Sequence, residues 1–426
     1  MYALLALLSF CFLAFSVTFK KLSYTTPTTF FVIAYGLHTL PGAIFLSSLS
    51  VIDVSVEAKV LAVIWISITY IVFAIPFFVF NNVQLKVKNE LMITVNYKLL
   101  SMLSLFMILG TISYIYSTGA FQALKYALSG DMVNAYFLRT NITSNYGSGQ
   151  FLATFPFRFL GPLIACIAYS CYVINKEIKY RNLFILVTAF TILPSILLVQ
   201  KYYIVQFLIM IFITYVFSRK VKISLFKLVM LIFFGVVAIS CLVIFYKGYV
   251  WDRLFTTPVN VFNRIFVVNM DVLSAYAQFY LDGNNWLLGK AVPNYGGILP
   301  YDRFMETRRI FDLYIAKAEN IDAGMTGTAP TNFFGNLMLN FDYIGAAGIT
   351  FFVGTIIALI FKVMEVYINK GNCVICALAA YLTVFIVEIG NGSLFQTFNY
   401  ITFFNFGIVG SLFFVGLTLR FRNNEH

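Results

Sequence analysis

The sequence predicts an all-α polytopic membrane protein of about eleven (ten to twelve) transmembrane helices, with one large and one medium loop outside the cytoplasm. Three observations predict it. The 426 residues are 61% hydrophobic and 11% charged, whereas a soluble domain is about half apolar and about a quarter charged. Extra core cannot absorb that surplus, because a globular chain needs charge to cover its surface. A bilayer is the solvent that accepts it. Apolar runs long enough to cross about 30 Å of hydrocarbon recur along the chain. Lys and Arg cluster in alternate gaps between those runs, as cytoplasmic loops do.

The runs fall at 2–19, 28–50, 58–80, 99–117, 151–174, 182–199, 203–218, 224–246, 343–361, 374–390 and 400–419. The first lacks a basic start and a small-x-small cleavage site and is followed by Lys20-Lys21, so it reads as a retained helix. The pair around Gln200-Lys201-Tyr202 reads as two spans or as one hairpin. Lys20-Lys21, Lys86/Lys88/Lys98, Lys176/Lys179/Arg181, Arg219-Lys220-Lys222, Lys362/Lys370 and Arg420/Arg422 mark the cytoplasmic side, which puts the C-terminus inside. The complementary gaps are 51–57, 118–150, 200–202, 247–342 and 391–399. The chain therefore reads as one integral membrane domain, 1–426, with a medium outer loop at 118–150 and a large one at 247–342.

The net charge of +12 would suit a polyanion partner. Its placement between apolar runs assigns it to orientation instead, and no nucleic acid is expected. All six cysteines, Cys11, Cys166, Cys171, Cys241, Cys373 and Cys376, lie in or beside apolar segments, so no disulfide framework is expected. Cys373-Val-Ile-Cys376 is a CxxC without a second ligand pair, and neither metal nor cofactor is expected. There is no Walker A loop, no G-x-S-x-G elbow and no His-rich cluster.

The outer loops carry the unusual chemistry. Residues 258–280 have helical periodicity, with Phe262, Ile265, Phe266, Leu273, Tyr276 and Tyr280 on one face and Asn260, Arg264, Asp271, Ser274 and Gln278 on another. Such a helix lies on the bilayer, lids a cavity, or packs on the membrane domain with a wet outer face. Further on, a short charged helix carries Arg303, Glu306, Arg308, Arg309 and Asp312. Positive-inside pressure works against three arginines in this outer loop. Their planar forks suit phosphate oxygens, while Asp312 is spaced to pair with Arg308 or Arg309 along the helix. The medium loop holds Lys125, Asp131 and Arg139. Arg158 follows a turn or two inside the next span, where an arginine must be paired or snorkel. His38, beside Gly36 and Pro41, either lines a cavity or bonds a neighbouring helix. Glu388 ends its span before Ile-Gly-Asn-Gly-Ser393, within reach of a loop arginine.

The stretch Thr328-Ala-Pro-Thr-Asn-Phe-Phe-Gly-Asn-Leu-Met-Leu-Asn-Phe-Asp-Tyr-Ile-Gly345, which closes the large loop, resembles the exit motif of oligosaccharide repeat-unit polymerases (Wzy-type O-antigen polymerases). Asn263-Arg-Ile-Phe266, leading to Tyr280-Leu-Asp-Gly283, resembles the start of that family's large periplasmic loop, and Arg139 before Gly147 and Gly149 is similar to an Arg-then-Gly loop of some members. Asp342 stands where the exit motif often has Gly, and the Arg139 spacing differs.

The resemblance implies a glycosyltransferase of the bacterial inner membrane. It would transfer a growing glycan from undecaprenyl diphosphate to a fresh lipid-linked repeat on the periplasmic side, in the biosynthesis of lipopolysaccharide or a related surface polysaccharide. The lipid-linked oligosaccharide and the bilayer are then its partners, with room for a chain-length regulator. The leaving group is a diphosphate, so developing charge needs cations more than a potent acid. Arg139, Arg158, Arg264, Arg303, Arg308, Arg309 and His38 are the substrate-binding candidates. Glu306 and Glu388 are the catalytic candidates, with Asp131 and Asp322 also in view for orienting an acceptor hydroxyl. An O-antigen ligase shares the layout, but its outer-loop histidine is missing here. A transporter or flippase of lipid-linked sugar would show inverted repeats, and none is apparent. A structural subunit without chemistry is the remaining rival.

Overall fold

The computed structural model describes residues 2–18, 26–83, 95–131, 134–135, 137–138, 141–142, 150–198, 200–221, 256–284, 287–292, 300–316, 329, 331–390 and 407. Among them there is helix and no strand. In chain order the elements are α1 Tyr2–Thr18, α2 Pro27–Leu49, α3 Val56–Asn82, α4 Tyr97–Thr118, α5 Ala120–Leu128, α6 Gln150–Phe155, α7 Gly161–Asn175, α8 Ile178–Leu197, α9 Lys201–Arg219, α10 Thr256–Phe262, α11 Val268–Leu281, α12 Glu306–Ile310, α13 Phe333–Asn369 and α14 Cys373–Gly390. Three wider π-helical turns, Pro156–Leu160, Asn263–Val267 and Phe311–Ile315, join α6 to α7, join α10 to α11 and extend α12.

Among the described residues seven helices are long and apolar enough to cross a membrane: Pro27–Leu49, Val56–Asn82, Tyr97–Thr118, Ala153–Asn175, Ile178–Leu197, Tyr202–Arg219 and Phe333–Asn369. Two shorter apolar helices, Tyr2–Val17 and Cys373–Val387, coincide with the first and tenth apolar runs. The runs at 224–246 and 400–419 lie outside the described residues apart from Gly407. The segments on either side of Gln200 are two helices, α8 and α9.

Helix ends follow local chemistry. Thr26 caps α2 by accepting from Thr29 N at 3.2 Å, with Pro27 opening the helix. Ser55 caps α3 by accepting from Ala58 N at 3.1 Å, and Glu57 in the first turn favours the helix dipole. Asn96 accepts from Lys98 N and Leu99 N at the start of α4, which ends at Gly119 in the left-handed conformation (φ 63°) that glycine tolerates.

The chain forms two compact units. One comprises 1–84, 223–362 and 385–400. Its core is aromatic: Phe73 meets Phe31, Tyr35 and Phe333 with ring centroids 6.1, 5.9 and 5.5 Å apart. Close approach depends on Gly42, where an added Cβ would stand 2.3 Å from the Phe266 carbonyl oxygen. The other unit comprises 85–222, 363–384 and 401–426. Its core sets Tyr114 of α4 against Phe157, centroids 4.8 Å apart, with Ala120, Ala123, Leu197 and Leu198 packed around them.

Two features depart from the sequence reading. The helix over 256–281 is present, but its polar face is wet only in part: Asn260 and Arg264 are exposed, whereas Asp271 and Ser274 are fully buried. Asp271 takes the place of solvent for the chain leaving α2, accepting from Ser50 Oγ at 2.5 Å, Val51 N at 2.8 Å and Ile52 N at 3.3 Å. The helix entering the ninth run begins at Phe333 rather than near 343, and breaks at Asp342 (φ 55°, ψ −171°). Its first part is buried despite two asparagines, Asn336 and Asn340, because those side chains find partners inside the protein.

Candidate functional site

The first part of α13, Phe333 to the break at Asp342, builds the site. Asn332 is its cap, accepting from Phe334 N at 2.9 Å. Asn332, Asn336 and Asn340 are spaced four apart, so they share one helix face, and all three are buried. Asn332 Nδ2 donates to Tyr35 Oη at 2.5 Å. Asn340 Nδ2 donates to the Asn336 carbonyl at 2.8 Å, and its Oδ1 accepts from Ala291 N at 3.3 Å. Asn336 Nδ2 donates to Glu306 Oε1 at 2.7 Å, and Glu306 is 1% exposed.

Glu306 opens α12, and the segment around it is anchored at several points. Phe304 N donates to the Lys290 carbonyl at 2.8 Å, and the Phe304 ring stacks on Phe279 with centroids 6.3 Å apart. Ala329 N donates to the Thr307 carbonyl at 3.0 Å, while Tyr276 Oη donates to the Ala329 carbonyl at 3.1 Å. The Tyr276 hydroxyl is held well above its usual pKa, first by burial and then by the negative charge of Glu306. Tyr314 Oη donates to Asp282, and burial together with that carboxylate raises its pKa too.

Three buried polar atoms here lack a hydrogen-bond partner among the described residues: Arg303 Nε, Asn336 Oδ1 and Thr331 Oγ1. Native interiors rarely leave such groups unmatched, and a polar ligand or a water would satisfy them. Arg308 and Arg309 are exposed. Arg308 Nε lies 4.0 Å from Asp312 Oδ2, an exposed pair one turn apart. Chemically, the segment offers a buried carboxylate held by an amide and, within one turn, two solvent-facing guanidinium groups.

Of the residues singled out from sequence, Glu306, Arg303, Arg308 and Arg309 fall together on this one segment. His38 lies elsewhere in the same unit, with its two ring nitrogens 2.8 and 3.1 Å from Asn269 Nδ2 of α11. That contact matches the neighbouring-helix alternative. Arg264 is exposed on the π-helical turn Asn263–Val267. Arg158 belongs to the other unit. Its guanidinium lies 4.3 Å over the Tyr203 ring and donates to Gln200 Oε1 at 3.3 Å, while Nε is buried without a partner among the described residues. The adjoining cavity, about 20 Å³, is lined by Thr191, Ser195, Tyr203 and Phe207 among others, room for about one water. Glu388 lies in α14, but its side chain is outside the described set; Arg139 and Asp322 fall outside the described residues. Asp131 accepts from Asn134 N at 3.1 Å and Asn134 Nδ2 at 2.6 Å. Among the described residues no three His, Cys, Asp or Glu side chains gather as a metal would require.

The asparagine ladder and Tyr276 were not singled out as site residues from sequence. The signal was available, because three asparagines four residues apart in an apolar stretch need an internal polar partner. Comparison with family models, with curated proteins and with solved structures finds no match to the chain.

Proposed function

We propose that the chain is a membrane glycosyltransferase that polymerises lipid-linked oligosaccharide repeat units. It would transfer the growing glycan from undecaprenyl diphosphate to the terminal sugar of a new lipid-linked repeat, on the periplasmic side of a bacterial inner membrane, within a layout of about eleven spans. One observation carries this reading: Glu306, buried and held by Asn336, precedes exposed Arg308 and Arg309 on the same short helix. The arginine forks suit the departing diphosphate, whose charge grows as the glycosyl bond breaks. The carboxylate suits the acceptor hydroxyl, orienting it and taking its proton as the new glycosidic bond forms.

The test is deletion of the gene in its host, followed by electrophoresis of the surface glycan. Loss of the ladder, with single repeats still on their carrier, supports the polymerase. Polymer accumulating on lipid without surface attachment would mean a ligase.

A second reading rests on the break in α13. Asp342 leaves helical geometry inside an apolar helix and accepts from Tyr280 Oη at 3.0 Å. Broken helices line substrate paths in transporters of small solutes, which keeps a transporter of lipid-linked sugar in view. In that case, deletion would leave the repeat units on the cytoplasmic leaflet.

A further inference from the structure

In the second unit, Cys171 Sγ donates to Cys373 Sγ at 3.0 Å, between residues 202 positions apart. Cys171 lies in the last turns of α7, and Cys373 opens α14. Both helix ends are tied down. Lys176 N donates to the Tyr172 carbonyl at 2.9 Å, closing α7. Asn372 Oδ1 accepts from Val374 N and Ile375 N at 3.1 Å each, and Lys220 Nζ donates to the Asn369 carbonyl at 2.8 Å, fixing the turn into α14. The sulfurs are therefore held together by packed helix termini and must close by about 1 Å to reach bonding distance. Cys376, the other half of the CxxC, is fully buried.

We propose that Cys171 and Cys373 are a reversible redox-modification site. A low-molecular-weight disulfide would convert the pair to a disulfide that pins the end of α7 to the start of α14. Cys171 is buried and Cys373 is half-buried, so Cys373 meets the reagent first. Its position at a helix start also favours an anion. The Cys373 thiolate attacks one sulfur of R–S–S–R, forming a mixed disulfide. The displaced R–S⁻ takes up the proton that Cys373 lost. The Cys171 thiolate then attacks the Cys373 sulfur and expels the second R–S⁻, which takes the proton from Cys171. Two protein thiols are oxidised, and one disulfide is reduced to two R–SH.

The test uses the full chain in detergent micelles, exposed to oxidised glutathione, then denatured, alkylated with a maleimide mass tag and mapped by peptide mass spectrometry. Free thiols should fall from the six in the sequence to four, with a Cys171–Cys373 linked peptide, and dithiothreitol should restore them. Cys171→Ser should stop at one glutathione on Cys373, and Cys376→Ser should behave as the unaltered protein. Six thiols surviving oxidant that fully oxidises the denatured chain would overturn the proposal. A Cys373–Cys376 linkage, or a disulfide between two chains, would overturn it equally.

Discussion

Asn336 donates a 2.7 Å hydrogen bond to Glu306 with both side chains out of water, although thirty positions separate them in the chain. Removing the amide leaves a buried carboxylate one partner short, at a cost of about 1–3 kcal/mol. Asn336→Leu should therefore lower the thermal midpoint of the purified protein. Glu306→Gln keeps the shape and an acceptor oxygen, so it should fold normally yet lose the glycan ladder. A normal ladder from folded Glu306→Gln would remove Glu306 from the chemistry.

Arg308 and Arg309 should behave differently from their acidic neighbour. The Arg308–Asp312 pair is exposed on both sides, and such pairs contribute about 0.3–0.5 kcal/mol. Asp312→Ala should leave stability and glycan length unchanged. Arg308→Ala and Arg309→Ala should shorten or abolish long chains at an unchanged protein level, with Lys rescuing only in part because it lacks the fork. Unchanged chain lengths in both alanine variants would sink the diphosphate role of these arginines.

Gly42 is a packing determinant. A Cβ there would stand 2.3 Å from the Phe266 backbone oxygen, an atom that cannot rotate away. Overpacking of this kind costs about 1–3 kcal/mol, so Gly42→Ala should reduce the yield of folded protein and its thermal midpoint. Gly348, where an added Cβ meets nothing within 4 Å, is the control, and Gly348→Ala should be neutral.

Asp271 should impose a pH dependence on stability. Burial raises its carboxyl above the usual range and outweighs the hydrogen bonds from Ser50, Val51 and Ile52 and the nearby charge of Lys59. A carboxyl whose pKa is higher folded than unfolded stabilises fully below the unfolded value and loses that contribution as pH rises through the folded value. Thermal midpoints of the unaltered protein and Asp271→Asn, measured from about pH 4 upward, should converge as pH rises. A gap that widens with pH would show that the ionised form is the one the fold prefers.

Much of the fold is legible in the sequence. The apolar runs at 28–50, 58–80 and 99–117 coincide with spans because backbone groups in hydrocarbon must satisfy one another, and a helix does so locally. The charged helix at 306–310 was visible as Arg, Glu and Asp at helical spacing. Less legible was the burial of Asp271 and Ser274, since periodicity identifies a polar face without saying what covers it. The early start of α13 was obscured by its asparagines, which read as loop until their partners are known.

Composition, run length and charge placement thus determined by themselves that the chain is a helical membrane protein, because these depend on the solvent around each segment. Only the tertiary structure decided that Glu306 meets Asn336, that His38 meets Asn269, and that Cys373 faces Cys171 across 3.0 Å. Those pairings join residues distant in the chain, and helix packing fixes which buried polar atoms come within reach of one another.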